Sequence, residues 1–167
     1  MIILGIDPGI DGAICLINND GLVVAIDDMP TLQIGKTAKR SLNYHVLSRI
    51  VWQAKAGHAF VEHTWNRPGE GHSGALVGCY MAILATMTTA GVPWTAVSPQ
   101  LWKKALGVPA AKDGARARAS QLNPQAADWW LLKKHDGRSE AYLIARYGLS
   151  TFHATHGSLQ ASSAPPA

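Results

Sequence analysis

The stretch MIILGIDPGIDGAICLI, residues 1 to 17, decides the fold. Ile2 to Ile6 is an apolar run too short for a stable helix. It ends on Asp7, and Pro8-Gly9 turns the chain toward a second apolar run, Ala13 to Ile17. Short apolar runs bounded by turn residues read as strands. Asn18-Asn19-Asp20-Gly21 is then a hairpin signal leading into a third run, Leu22 to Ile26. The chain is expected to open as a three-stranded meander with the Asp7 carboxylate at the tip of a buried strand.

Working outward, Leu42, Val46, Leu47, Ile50 and Val51 recur at helical spacing behind Ser41, a suitable N-cap, and Gly57 precedes a strand from His58 to Glu62. This β-β-β-α-β order predicts an α/β fold. Residues 63 to 73, rich in Gly and Pro, form a loop. Ala75 to Ala90 is the longest apolar stretch; it carries Tyr80, Thr86, Thr88 and Thr89 and falls short of the roughly 20 residues of a membrane span, so it reads as a buried helix or one at a subunit interface. A short strand, Trp94 to Val97, precedes a strong helix start at Ser98-Pro99. A second basic helical stretch surrounds Lys112, Arg116 and Arg118 and is interrupted at Asn123-Pro124. The last helix runs from about Arg138 to Tyr147. Residues 1 to 150 form one domain, and the Ser/Ala/Pro-rich residues 151 to 167 form a frayed tail. No internal repeat is present.

With 47% hydrophobic and 16% charged residues, the 167-residue chain is too apolar for disorder and long enough to bury a core without disulfides. Cys15 and Cys79 lie inside apolar runs, as small buried thiols do. Met1 leads straight into a strand with no signal-peptide pattern, which favours the cytoplasm. The formal charge of +4 is asymmetric: residues 1 to 100 hold six Lys/Arg against seven Asp/Glu, and residues 101 to 148 hold nine against four. A basic second half suits an anionic partner such as nucleic acid, and equally a solvated basic face.

Acids are few, and four fall at chemically suggestive places: Asp7 and Glu62 each end an apolar strand, while Asp136 and Glu140 are four apart at the start of the last helix and so share one face. Hydrolysing a phosphodiester requires an activated water, charge relief on the phosphate and a stabilised leaving oxygen, which two divalent ions about 4 Å apart supply together. Magnesium favours carboxylates and retained waters, so carboxylates converging from separate elements are the pattern to seek. Simpler roles exist for each acid. Asp7 before Pro8-Gly9 suits a turn, Asp136 before Gly137 suits an N-cap, and Glu140 suits a solvated helix face. Glu62 is the hardest to explain this way, because glutamate is a poor strand residue.

Four blocks in order, GIDPG at 5 to 9, VEHTW at 61 to 65, SPQLWKKALG at 98 to 107 and HDGRSEAYLIA at 135 to 145, resemble the RuvC-like Holliday junction resolvases, most of all phage-associated members. The resemblance spans residues 1 to about 148. It implies an RNase H-like fold with a central mixed five-stranded sheet, first three strands antiparallel and the rest parallel, flanked by helices. It also implies a homodimer that uses two Mg²⁺ ions per site, with Mn²⁺ as a substitute, to nick four-way DNA junctions symmetrically. By this resemblance Asp7, Glu62, Asp136 and Glu140 are the catalytic metal ligands, with His135 as an alternative ligand. Cellular members usually show Asp-x-x-Asp, so Gly137 stands where a third acid would if Glu140 is the fourth. Trp65 matches an aromatic that stacks on a base near the cut. Lys103 or Lys104 and Lys112 resemble phosphate-binding lysines, and Arg67, Arg116, Arg118, Lys133 and Lys134 extend the DNA track or are solvated charges.

Other classes make different demands. An actin-like nucleotide binder would need a second Gly-rich phosphate hairpin and usually a longer chain, and the Gly5, Gly9, Gly12 spacing is not the dinucleotide pattern. No small-molecule cofactor or membrane is expected. A nuclease acting on RNA/DNA hybrids or branched flaps, or a junction-binding module without activity, would share the same surface.

Overall fold

A computed structural model describes residues 1–36, 40–64 and 74–161, with side chains described through Thr155. Five strands, β1 (Ile3–Asp7), β2 (Ala13–Ile17), β3 (Val23–Asp28), β6 (His58–Glu62) and β7 (Trp94–Val97), form one sheet in the order β3-β2-β1-β6-β7. The meander β1-β2-β3 is antiparallel, while β6 runs parallel to β1 and β7 parallel to β6. The mixed five-stranded sheet expected from the sequence is present.

Alternate residues of the central strands feed two cores. Ile3, Ala13, Cys15, Ile17 and Phe60 face one side. Leu4, Ile6, Ile14, Leu16, Ala59 and Val61 face the other. Strands buried on both faces carry continuous apolar runs instead of alternation, which is why MIILGI and AICLI read as they do. The second core is covered by α1 (Tyr44–Ala54) and α2 (Gly74–Thr89). The first is covered by α3 (Pro99–Ala105), α4 (Gly114–Leu122) and the long α5 (Asp136–Ala161), whose Ala141 to Ala145 are wholly buried. Both cysteines are buried and free.

Helix α5 lies directly on β1. A Cβ added to Gly5 would stand 2.1 Å from the Ala141 carbonyl and 2.4 Å from the Ala145 amide, both backbone atoms. Only glycine permits this approach, and it sets the height at which the first turn of α5 meets the end of β1.

Three local expectations change. Residues Thr31–Gln33 (β4) and Arg40–Leu42 (β5) pair as a separate antiparallel hairpin, so Ser41 is in a strand and does not cap α1. Asn43 does so instead, its side-chain oxygen accepting from the Val46 amide at 3.2 Å. The apolar stretch at 75 to 90 forms α2, which is buried only along Cys79, Tyr80, Ile83 and Met87 and leaves Val77 and Met81 exposed. The last helix continues past Ser150 to Ala161, with Phe152 packed against the core. No helix is long and apolar enough to cross a membrane among the described residues.

Candidate active site

The two parallel strands β1 and β6 pair through Ile6 and Val61, so the next residues, Asp7 and Glu62, end side by side. They share the sheet face of Ile3 and Phe60, the one covered by α5. Glu140, one turn into α5, completes a group of three. Burial is the main cause that raises the Asp7 carboxyl well above its ordinary pKa, followed by the charges of Glu140 and Glu62. Glu62 is also raised, by burial first and then by Glu140, against a hydrogen bond that favours its charged form. Unit charges about 4 Å apart repel by roughly 4 kcal/mol at an effective dielectric near 20, so a carboxylate cluster of this kind calls for a cation.

One protein cation is at hand. Lys103 Nζ lies 3.0 Å from Glu140 Oε1 and eases the charge on Asp7 and Glu62 as well. Its ammonium lies over the Trp102 ring, 5.0 Å from the centroid, and helix α3, capped by Ser98 and begun by Pro99, delivers both residues. Trp102 is fully buried, and its indole N–H donates to Glu62 Oε2 at 2.7 Å. Sequence reasoning passed over this tryptophan. Its only signal was position, immediately before the lysine pair in a block that had already attracted notice.

Asp136 is placed differently. Its Oδ1 accepts from Arg116 Nε at 2.6 Å, and its charge does not figure among those acting on Asp7 or Glu62. The cause lies next door: a Cβ at Gly137 would come within 2.7 Å of the Asp11 carbonyl and 3.1 Å of Asp7 Oδ2. The helix face that meets Asp7 is thus the one bearing Gly137 and Glu140, and Asp136 falls to its side. No side chain fits at 137 without moving backbone, so a third acid there is excluded in this arrangement. His135 closes a short 3-10 turn, Lys133–His135, before α5. Its pKa is lowered by burial and then by Arg138 and Lys134, its Nδ1 is buried without a hydrogen-bond partner among the described residues, and its charged neighbours do not include Asp7, Glu62 or Glu140.

Around this centre the basic residues divide. Lys104, Lys112, Lys133 and Lys134 are exposed. Arg116, besides holding Asp136, donates to the Leu131 carbonyl at 3.3 Å. Arg118 donates to the Leu106 carbonyl at 2.6 Å and to Gln121, tying the α3–α4 linker. Arg138 grips Asp28 with two bonds of 2.6 and 2.8 Å and lowers its pKa. Trp65 and Arg67 lie outside the described residues.

A hard divalent cation fits the chemistry of the donor set, since Asp7, Glu62 and Glu140 offer only oxygen. Among the described residues, however, no three His, Cys, Asp or Glu side chains stand in ligand geometry. Glu140 is turned onto Lys103, and one oxygen of Glu62 is held by Trp102.

No family model matches the chain, and no curated protein sequence does either. Solved structures do. The RuvC of Thermus thermophilus aligns over 94% of this chain and 97% of its own with a TM-score of 0.55 at 20% identity. The same protein in complex with a Holliday junction substrate aligns over 94% and 96%, at 0.58 and 18%. The fowlpox virus Holliday junction resolvase aligns over 90% and 99%, at 0.56 and 14%. The chain has the RuvC fold. At these identities the likeness is one of architecture, and it runs nearly end to end in both directions. In the RuvC fold of this chain, Asp7 and Glu62 sit at the carboxyl ends of the central parallel strands and Glu140 on the helix across them.

Proposed function

We propose that this chain is a structure-specific endonuclease that resolves four-way DNA junctions in the cytoplasm by paired, metal-dependent nicks. The observation that carries this reading is the trio Asp7, Glu62 and Glu140, three carboxylates from three elements, two of them raised in pKa by burial and mutual repulsion. Ion pairing ordinarily lowers a carboxyl pKa, so acids raised by burial and by one another's charge mark a candidate functional site.

Asp7, Glu62 and Glu140 would hold Mg²⁺ or Mn²⁺ ions, with Asp136 or His135 as a further ligand. When bound, the ions lower the pKa of a water and neutralise charge on the phosphate and leaving oxygen. Trp102 holds one oxygen of Glu62 and would leave the other to meet a cation. Lys103, released from Glu140, is placed to meet a phosphate oxygen, and Lys104, Lys112, Lys133 and Lys134 supply a basic track for the DNA backbone. A twofold dimer matches the two symmetric cutting points of a junction, and the exposed apolar residues Val77 and Met81 on α2 offer a surface for it.

The test is cleavage of end-labelled synthetic four-way junctions, Y-forks and duplexes, with Mg²⁺ and with chelator. Paired, metal-dependent nicks in the four-way substrate, lost in Asp7→Asn while binding persists, are expected. Wild-type nicking by Asp7→Asn, or equal cutting of duplex, would refute the proposal. A second reading has one observation in its favour: Glu140 on Lys103 and Asp136 on Arg116 are already neutralised, as a junction-binding module without activity would have them. Tight junction binding with no cleavage in either metal would select it.

A further inference from the structure

Strand β3 is an edge of the sheet, two strands away from β1. Among the described residues, no backbone hydrogen bond reaches Val23–Asp28 from any segment except β2, so the amides and carbonyls along its outer side are unpaired. Such an edge can template a further strand, and charges on it deter indiscriminate pairing. Asp28 is held by Arg138, whereas Asp27 is exposed and makes no ion pair among the described residues.

A cleft lies beside this edge on each face of the sheet. On the α1 face, Ala25 and Ile50 line a cleft of about 380 Å³, with Asp27 on the strand side and Arg49 and Gln53 on the helix side. On the opposite face, Val23, Asn123, Gln125 and the half-exposed Trp129 line a second cleft, beside the 3-10 helix Pro124–Trp130. Deterring strand pairing requires neither. Successive residues of a strand point to opposite faces, so the side chains of a strand added to β3 would enter the two clefts in turn. In recognition of this kind, backbone bonds supply affinity and pockets for alternate side chains supply selectivity.

The lining says what fits. The α1 cleft equals about thirteen water volumes at roughly 30 Å³ each, room for one large apolar side chain opposite Ala25. Two positions along, an added residue would stand opposite Asp27, with Cβ atoms about 4.5 to 5.5 Å apart, and a lysine or arginine there would pair with it. A second copy of β3 would present Ala25 and Asp27 to that face, the one too small and the other of the wrong charge. Residues 162–167, Ser-Ser-Ala-Pro-Pro-Ala, hold neither a large apolar side chain nor a cation. The exposed Asp27 carboxylate also repels nucleic acid.

We propose that β3 takes up an extended segment of a partner protein as an added strand, with a large apolar residue in the α1 cleft and a lysine or arginine two positions along on Asp27. This docking edge does not depend on the junction reading.

The test uses the full chain and fluorescein-labelled synthetic peptides of about eight residues. Threonine alternates in them with leucine, phenylalanine or tryptophan at one position and lysine two residues away. Fluorescence anisotropy should saturate with at least one peptide. N-methylation of every second amide should abolish binding for one set of amides and spare it for the other, because only one side of an added strand bonds to β3. Asp27→Lys should weaken binding at least about tenfold, and a peptide with glutamate in place of lysine should recover it. Gln53→Trp, an exposed position whose larger side chain fills the cleft, should weaken binding by a similar factor, with melting temperature little moved in either variant. No saturation at millimolar peptide, equal effects of the two methylated sets, or binding indifferent to Asp27→Lys or to Gln53→Trp overturns the proposal. Self-association without peptide that Val24→Lys abolishes also overturns it, since the occupant would then be a second copy.

Discussion

Among the described carboxyls, Asp7 and Glu62 are the ones whose ionisation the fold opposes. Their carboxyl pKa values are raised above those of the unfolded chain, near 3.9 and 4.3. Such groups contribute stability that is fully present below the unfolded pKa and is lost as pH rises through the folded value. Asp28 has the opposite sign, lowered by Arg138, and contributes above its unfolded pKa. Substituting Asp7 isolates one of these effects. In chelator, Asp7→Asn should melt close to wild type at pH 4 and progressively above it toward pH 8, and Mg²⁺ should raise the wild-type melting temperature more at pH 8 than at pH 5. Scanning fluorimetry across that range checks both, and a pH-independent difference would mean that Asp7 is not strained.

Trp102 offers a second prediction at this scale. Removing the indole N–H leaves Glu62 without its fixed orientation, and outer partners of metal ligands typically matter by about 10- to 100-fold in affinity or activity. Trp102→Phe should therefore weaken Mn²⁺ binding by about that factor in calorimetry. Trp130→Phe is the matched control, since Trp130 is equally buried and donates to Ser120 Oγ at 2.9 Å, away from the acids. Equal loss in both variants would make Trp102 a packing residue only.

At the scale of elements, the site exists because α5 crosses β1 at very short range. Burying its Leu143 and Ile144 contributes about 1.5 to 3 kcal/mol each, but their positions depend on Gly5. Gly5→Ala would drive a methyl into the backbone of α5, an overpacking that costs up to about 3 kcal/mol or more. Because the strain lifts the helix bearing Glu140, it should depress metal binding along with stability. Urea denaturation paired with Mn²⁺ titration tests this, and retained metal affinity in a destabilised variant would separate helix seating from the site.

For the whole molecule, the proposed paired nicking calls for two copies of the chain. The one-sided burial of α2 leaves Met81 more than half exposed, at 58%. A charge at an exposed position changes the stability of a monomer by about 0.5 kcal/mol or less. Met81→Glu should therefore leave the melting temperature of a monomer untouched while abolishing a dimer of this 17.8 kDa chain, together with paired nicking. Light scattering decides, and an unchanged mass would move the interface elsewhere.

From the sequence alone one could read the apolar runs, the turn after Asp7, the α/β order and which carboxylates end strands, because hydrophobic periodicity and turn chemistry act within a few residues. The capping of α1 by Asn43 was not legible, since Ser41 is as good a cap until the β4–β5 hairpin claims it. Nor was the parting of Asp136 from Glu140. Helical spacing puts both on one face, but only the contact of Gly137 with the Asp7 turn decides which edge of that face looks inward. The pairing of Lys103 with Glu140 and the bond from Trp102 to Glu62 likewise join residues about forty apart in the chain, and such partners are chosen by how α3 and α5 pack on the sheet, not by local pattern.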